Sequence, residues 1–130
     1  MPRDPVESRI SDRIRYEHML QASQAVMRFV ADRQRSDLDN DDMLRRAVLH
    51  AIQEIGEAAA RMTDAGRALA PELPWGSIVQ MRHIMVHVYW GVDLDRVWSV
   101  ATDHMKAISE AAAKAIPQLP LLDSDSATGN

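Results

Sequence analysis

Residues 82 to 89 read Arg82-His83-Ile84-Met85-Val86-His87-Val88-Tyr89, which sets a guanidinium, two imidazoles and a phenol in an otherwise apolar stretch. Arginine is a permanent planar cation, and histidine moves a proton near neutral pH. These are the two side chains best suited to act on a phosphodiester without a metal ion. A rival chemistry uses the same residues: His83 and His87 are spaced i, i+4 and share a helix face, the spacing of two zinc ligands. No third ligand is evident beside them. Ile84 follows His83 where a zinc-protease motif needs glutamate, and no Glu-x-x-His pair exists for a di-iron bundle. The plain alternatives are that an arginine and a histidine near a helix end are surface or interface residues, or that they bind phosphate without cutting anything.

The elements that must position this packet are helical. Only 5% of the residues are aromatic, no alternating strand pattern occurs, and Asn-Gly and Asp-Gly turns are absent, which leaves little from which to build a sheet. Asp4-Pro5-Val6-Glu7 opens the first helix as cap, first-position proline and capping-box acid, with Ser8 and Ser11 as other entries. Its apolar stripe runs Ile10, Ile14, Met19, Ala22, Val26 and Val30. After a polar break from Ser36 to Asp42, Leu44, Val48, Ile52, Ile55, Ala59 and Met62 recur at steps of three and four, predicting a second helix that ends near Ala65 or Gly66.

Pro74 and Trp75 begin a third helix that carries Ile78, Met81 and Met85 toward the motif and closes at Gly91. Asp93 caps a fourth, with Leu94, Val97, Trp98, Ala101, Met105, Ile108 and Ala112 on one face, until Pro117 and Pro120 stop it. The expected fold is all-α: an antiparallel four-helix bundle, with or without an extra short helix. It forms one domain over residues 1–120, followed by a disordered tail over 121–130.

Composition bounds the function. A chain of 130 residues buries about two thirds of its unfolded surface and needs no staple to fold. It has no cysteine, which excludes disulfide scaffolds, thiolate zinc sites and cysteine nucleophiles and fits a reducing compartment. No apolar run approaches the roughly 20 residues of a membrane span, and Met1-Pro2-Arg3-Asp4 lacks a signal-peptide core, so the expected location is cytoplasmic, away from membranes. A formal charge of -4 argues against wholesale wrapping by nucleic acid but leaves room for a local phosphate site. Arg9, Arg13, Arg15 and Arg28 on the first helix either extend an RNA path or are simply solvated.

Gly56 breaks a local rule, since glycine inside a helix costs about 1 kcal/mol. Close approach of another backbone would offset that cost, and Ala58, Ala59 and Ala60 thin the same surface. A tolerated surface glycine is the alternative.

Three stretches together resemble the HepT-like branch of the HEPN superfamily: Ile55-Gly56-Glu57-Ala58-Ala59, Leu73-Pro74-Trp75, and the Arg-x4-His-x-Tyr signature of Arg82, His87 and Tyr89. Val92-Asp93-Leu94-Asp95-Arg96-Val97-Trp98 continues the likeness, which covers most of the chain except its ends. His83 is a departure, standing where the family most often has asparagine.

The resemblance implies a HEPN-like bundle acting as a metal-independent endoribonuclease toxin, a homodimer in which the motifs of both protomers line one cleft. Arg82 would hold the phosphate, His87 would move the proton and His83 would be auxiliary. RNA rather than DNA is the implied substrate, because its 2′-hydroxyl supplies the nucleophile, and no cofactor is implied. The partner implied is a minimal nucleotidyltransferase antitoxin that silences the site by transferring AMP to Tyr89, in a type VII-like toxin-antitoxin pair. The non-catalytic alternative is a helical module that binds a nucleotide or docks the nucleotidyltransferase. In an ideal helix Arg82 and His87 lie about 140° apart and His87 and Tyr89 about 200° apart, so they do not share a face. Convergence then requires the third helix to end near His87 or a second protomer to complete the site.

Overall fold

A computed structural model of the chain describes residues 5–84 and 93–121, and every regular element among them is helical. The first helix, α1 (Pro5–Val30), begins at the expected proline. Its C-terminal half buries Met19, Ala22 and Val26 as the periodicity requires, but its N-terminal half is rotated from expectation: Asp12 and Tyr16 face the core, while Ile10 and Ile14 are only partly buried. The reason is a polar anchor described below, which draws the Asp12 face inward.

The break after α1 folds into a single turn, α2 (Asp37–Asn40), that buries Leu38. The next helix, α3 (Asp42–Ala60), starts where the Asp41 carboxylate accepts the Leu44 N–H at 3.0 Å. That N–H, with Arg33 nearby, holds the Asp41 carboxyl below the usual carboxylate range. Leu44, Val48, Ile52, Ile55 and Ala59 are all buried, as their spacing predicts.

Contrary to expectation, α3 stops at Ala60 rather than near Ala65 or Gly66. Thr63 takes extended backbone angles and starts a new turn, α4 (Asp64–Arg67), where its hydroxyl accepts the Gly66 N–H at 3.0 Å. A side chain that can cap competes with helix continuation, and here it is fastened in place because Thr63 donates both its N–H and its hydroxyl to Asp12.

Helix α5 (Trp75–Gln80) follows Pro74 and tightens into a 3-10 turn over Met81–His83. Asp93 caps α6 (Leu94–Asp103), its carboxylate accepting the Arg96 N–H at 3.1 Å. The expected fourth helix is not continuous: it is interrupted at His104 and resumes as α7 (Met105–Ala115), which ends in a 3-10 turn at Ile116–Gln118 containing Pro117. A side chain competes with the backbone just before the break, where the Thr102 hydroxyl donates to the Trp98 carbonyl at 2.8 Å. The buried row Val97, Ala101, Met105, Ile108 and Ala112 runs across the interruption regardless.

The long helices run antiparallel, with α1 packed along both α3 and α7. At the N-terminal end of α1, Asp12 meets Thr63 beyond the end of α3, and Arg13 donates to the Ile116 and Leu119 carbonyls beyond α7 at 3.1 and 2.7 Å. Just beyond its other end, Arg35 pairs with Asp95 at the start of α6 at 2.6 Å. The first-helix arginines therefore divide: Arg13, with Arg9 at 3.5 Å from the Gln118 carbonyl, caps the C-terminal segment instead of extending an RNA path. No helix of the described residues is long and apolar enough to cross a membrane. The tail from residue 122 onward lies outside the described residues.

The polar anchor is buried at Asp12, Tyr16 and Gly66 and partly buried at Thr63. Asp12 is 1% exposed and Tyr16 fully buried, and the Tyr16 hydroxyl donates to the Gly66 carbonyl at 2.6 Å. Burial, reinforced by the Asp12 and Glu72 carboxylates, raises the Tyr16 phenol well above its ordinary range, so it remains a donor. Removing Asp12 takes the acceptor from two donors of the partly buried Thr63. Asp12→Ala is therefore expected to lower the unfolding free energy by roughly 2–3 kcal/mol, read as a drop in urea midpoint with unchanged slope. A change under about 0.5 kcal/mol, the level of an ordinary surface substitution, would show that the anchor contributes nothing.

Candidate active site

Arg82 is positioned by what surrounds its backbone. Ile78 on α5 is 1% exposed, and Met81 and Ile84 pack partly buried against the core, so this face holds the segment down while Arg82 and His83 project outward into solvent. Beneath the segment lies Gly56 on α3. A Cβ placed on residue 56 would fall 2.2 Å from the Arg82 nitrogen, 2.8 Å from the Met81 carbonyl carbon and 2.9 Å from the Arg82 Cα. The expected backbone approach at Gly56 is thus real, and the backbone in question is that of the motif arginine itself.

The local geometry differs from an ideal helix. Over Met81–His83 the backbone is a 3-10 turn, which advances about 120° per residue because it has three residues per turn. Two neighbouring side chains are nonetheless in contact: Arg82 Nε donates to His83 Nε2 at 3.3 Å. That bond uses the lone pair of a neutral imidazole, so His83 carries its proton on Nδ1 when the bond is made. With Nε engaged, the two Nη groups remain as donors, an edge that matches two phosphate oxygens. Among the described residues no carboxylate lies within ion-pair distance of Arg82.

His83 also lines a cleft of about 820 Å³ between α5 and the α6–α7 pair. One wall is Ser77, Ile78, Met81, His83 and Ile84; the other is Asp93, Arg96, Val97, Val100, His104 and Ile108. Arg96 and His104 were not singled out in the sequence. The signal that reveals them is their spacing with Val100 at i, i+4 and i+8, a second face of the fourth helix beside its apolar one. His87 and Tyr89, the expected proton carrier and modification site, lie outside the described residues, as does Trp90. Trp98 is partly buried against the core. Among the described residues no group of three or more histidine, aspartate or glutamate side chains is placed to share a metal ion.

Comparison with protein families decides the lineage, because the model described as "Ribonuclease HepT-like" matches residues 19–115, from the middle of α1 to the end of α7. The chain belongs to the HepT-like ribonuclease family. The HepT-like relatives include "Putative RNase MJ1380" of Methanocaldococcus jannaschii, 29% identical over 71% of this chain and 84% of its own length. "Putative RNase TTE0752" of Caldanaerobacter subterraneus is 29% identical over 79% of this chain and 82% of its own. "Probable ribonuclease HepT" of Thermococcus cleftensis is 31% identical over 52% and 62%. No solved structure matches the chain. The HepT-like match takes in Gly56, the Pro74-Trp75 helix start and the whole Arg82–Tyr89 motif, the three stretches that carry the resemblance in the sequence.

The Gly56 contact is open to a direct test. On an exposed helix, Gly→Ala stabilises by about 1 kcal/mol; here the added methyl meets backbone that has no softer route. Gly56→Ala is expected to destabilise the fold by about 1–3 kcal/mol, as overpacked cores do, and to shift the amide resonances of Met81 and Arg82. Stabilisation by alanine would mean that the two segments do not touch.

Proposed function

We propose that this HepT-like ribonuclease is a metal-independent endoribonuclease in which Arg82 holds the scissile phosphate and His87 moves the proton. The observation that carries the reading is the state of Arg82. It is exposed, seated on backbone packed against Gly56, bonded to His83, and without a carboxylate partner among the described residues. An uncompensated, oriented guanidinium is a ready receptor for a phosphodiester and for the extra negative charge that develops as the phosphorus becomes five-coordinate.

The chemistry balances without a metal. The 2′-hydroxyl beside the phosphate attacks phosphorus as His87 takes its proton. The bond to the 5′ oxygen breaks and that oxygen is protonated, leaving a 2′,3′-cyclic phosphate and a free 5′-hydroxyl. A homodimer suits this scheme, since a second copy brings a second imidazole for the leaving oxygen. His83 serves as the auxiliary group that orients Arg82.

Silencing follows from the same cation. In this reading a minimal nucleotidyltransferase antitoxin transfers AMP from ATP to Tyr89: the phenol oxygen attacks the α-phosphorus and pyrophosphate leaves. The attached nucleotide brings a phosphodiester to the neighbourhood of Arg82 and fills the groove. A toxin paired with such an enzyme needs no other inhibitor.

The decisive experiment is RNA cleavage by the purified protein in EDTA. Wild type is expected to cut and leave cyclic phosphate ends. Arg82→Ala or His87→Ala should lose about 10²–10⁴ in rate, the range for removing a charge-stabilising donor or a proton carrier, while keeping the wild-type circular dichroism. Wild type and variants equally inert across several RNAs would favour the alternative module that binds a nucleotide or docks the nucleotidyltransferase. Incubation with a nucleotidyltransferase and ATP should add one AMP to wild type and none to Tyr89→Phe by mass spectrometry; AMP on another residue would refute Tyr89 as the site.

A further inference from the structure

The cleft beside Arg82 holds chemistry that cleavage alone leaves unused. Its accessible floor is apolar, made by the partly buried Met81, Ile84 and Val100, with the fully buried Ile78, Val97 and Ile108 beneath them. Its rim carries His83 on one side and Arg96 and His104 on the other, all exposed. Each of the two facing residues is available for a structural reason. His104 sits at the interruption between α6 and α7, and its side chain is exposed there. Arg96 has no carboxylate within ion-pair distance among the described residues, because its neighbour Asp95 is bound by Arg35 at 2.6 Å and Asp93 is engaged at the α6 cap.

We propose that this cleft is the binding site for the nucleotide adjoining the phosphate on Arg82. The base lies on the apolar floor between the imidazoles of His83 and His104, and Arg96 takes the next phosphate along the strand. A base presents flat apolar faces that stack on rings, whereas its flanking phosphates need cations, and single-stranded RNA sites combine the two. The volume of about 820 Å³ falls within the range of about 300–1,000 Å³ common to small-ligand sites. Continuity comes from His83, whose Nε2 accepts from Arg82 while its ring borders the cleft, so a chain held at one is delivered to the other. The inference rests on the ribonuclease reading for the phosphate at Arg82, and it makes RNA entry single-stranded, because a base buried here has left its helix.

The test uses the full chain and a short 2′-O-methyl RNA, whose blocked hydroxyl prevents cleavage, with binding read by fluorescence anisotropy. Arg96→Ala and His104→Gln are each expected to weaken binding about tenfold, the order found when a base or phosphate contact is removed. Arg61→Ala, in the separate groove between α1 and α3, leaves binding unchanged. In cleavage of the unmodified RNA, Arg96→Ala should raise KM by a similar factor with kcat within about threefold, and Arg96→Lys should recover part of the loss. Folded variants that bind and cut like wild type would overturn the cleft and leave the ribonuclease reading intact. Binding that depends on Arg96 in a protein that cuts nothing would support the cleft and sink the cleavage mechanism instead.

Discussion

The backbone of Met81 and Arg82 occupies its position only because residue 56 has no side chain. With a Cβ at that point 2.2 Å from the Arg82 nitrogen, any other residue must push the motif segment off α3 or bend α3 away from it. The site thus inherits its position from α3, whose apolar face lies in the core. Interiors are close-packed and resist such displacement, so the backbone that carries the cation is held by the core. Helix-interior glycine is costly, and here the cost is offset by letting the rigid core reach to within one peptide of the guanidinium.

A second close approach lies just beyond the C-terminal end of α3. Gly66 lies where a Cβ would come 2.6 Å from the Asp12 carboxyl, and around it Asp12, Thr63 and Tyr16 form a buried set of hydrogen bonds. These bonds end α3, turn the chain through α4, and lead it to Trp75 at the start of α5. Trp75 is fixed by its own donation to the Ala70 carbonyl at 2.9 Å, by an edge contact with Tyr16 and by Arg67 over its ring. The short helix that leads into the motif is therefore fastened at its start by a polar anchor and beyond its end by Gly56. Both fastenings lie outside the reacting residues, and both act on where Arg82 stands.

The legible parts of the sequence were those in which one local rule decides. The α3 stripe, the Asp93 cap, the helix start at Trp75 and the glycine at position 56 each followed from spacing or from a single residue's cost. The misread parts were those in which a distant residue overrides the local pattern. Asp12 and Tyr16 displaced Ile10 and Ile14 from the core face of α1 because their partners arrive from more than 45 residues away. The end of α3 moved from Gly66 to Ala60 for the same reason. The helix breaks at His104 although its apolar row reads as unbroken, since the Thr102 hydroxyl bonds the Trp98 carbonyl without disturbing the buried face.

Taken alone, the sequence determined the helical class, the main apolar faces, the family and the identity of the motif residues, because periodicity, caps and ordered motifs are properties of neighbours along the chain. Tertiary structure decided which backbone Gly56 admits, that His83 rather than a carboxylate accompanies Arg82, and that Arg96 and His104 face His83 across one cleft. Those are distances between segments far apart in sequence. They depend on how close two packed surfaces can come, which no local pattern encodes.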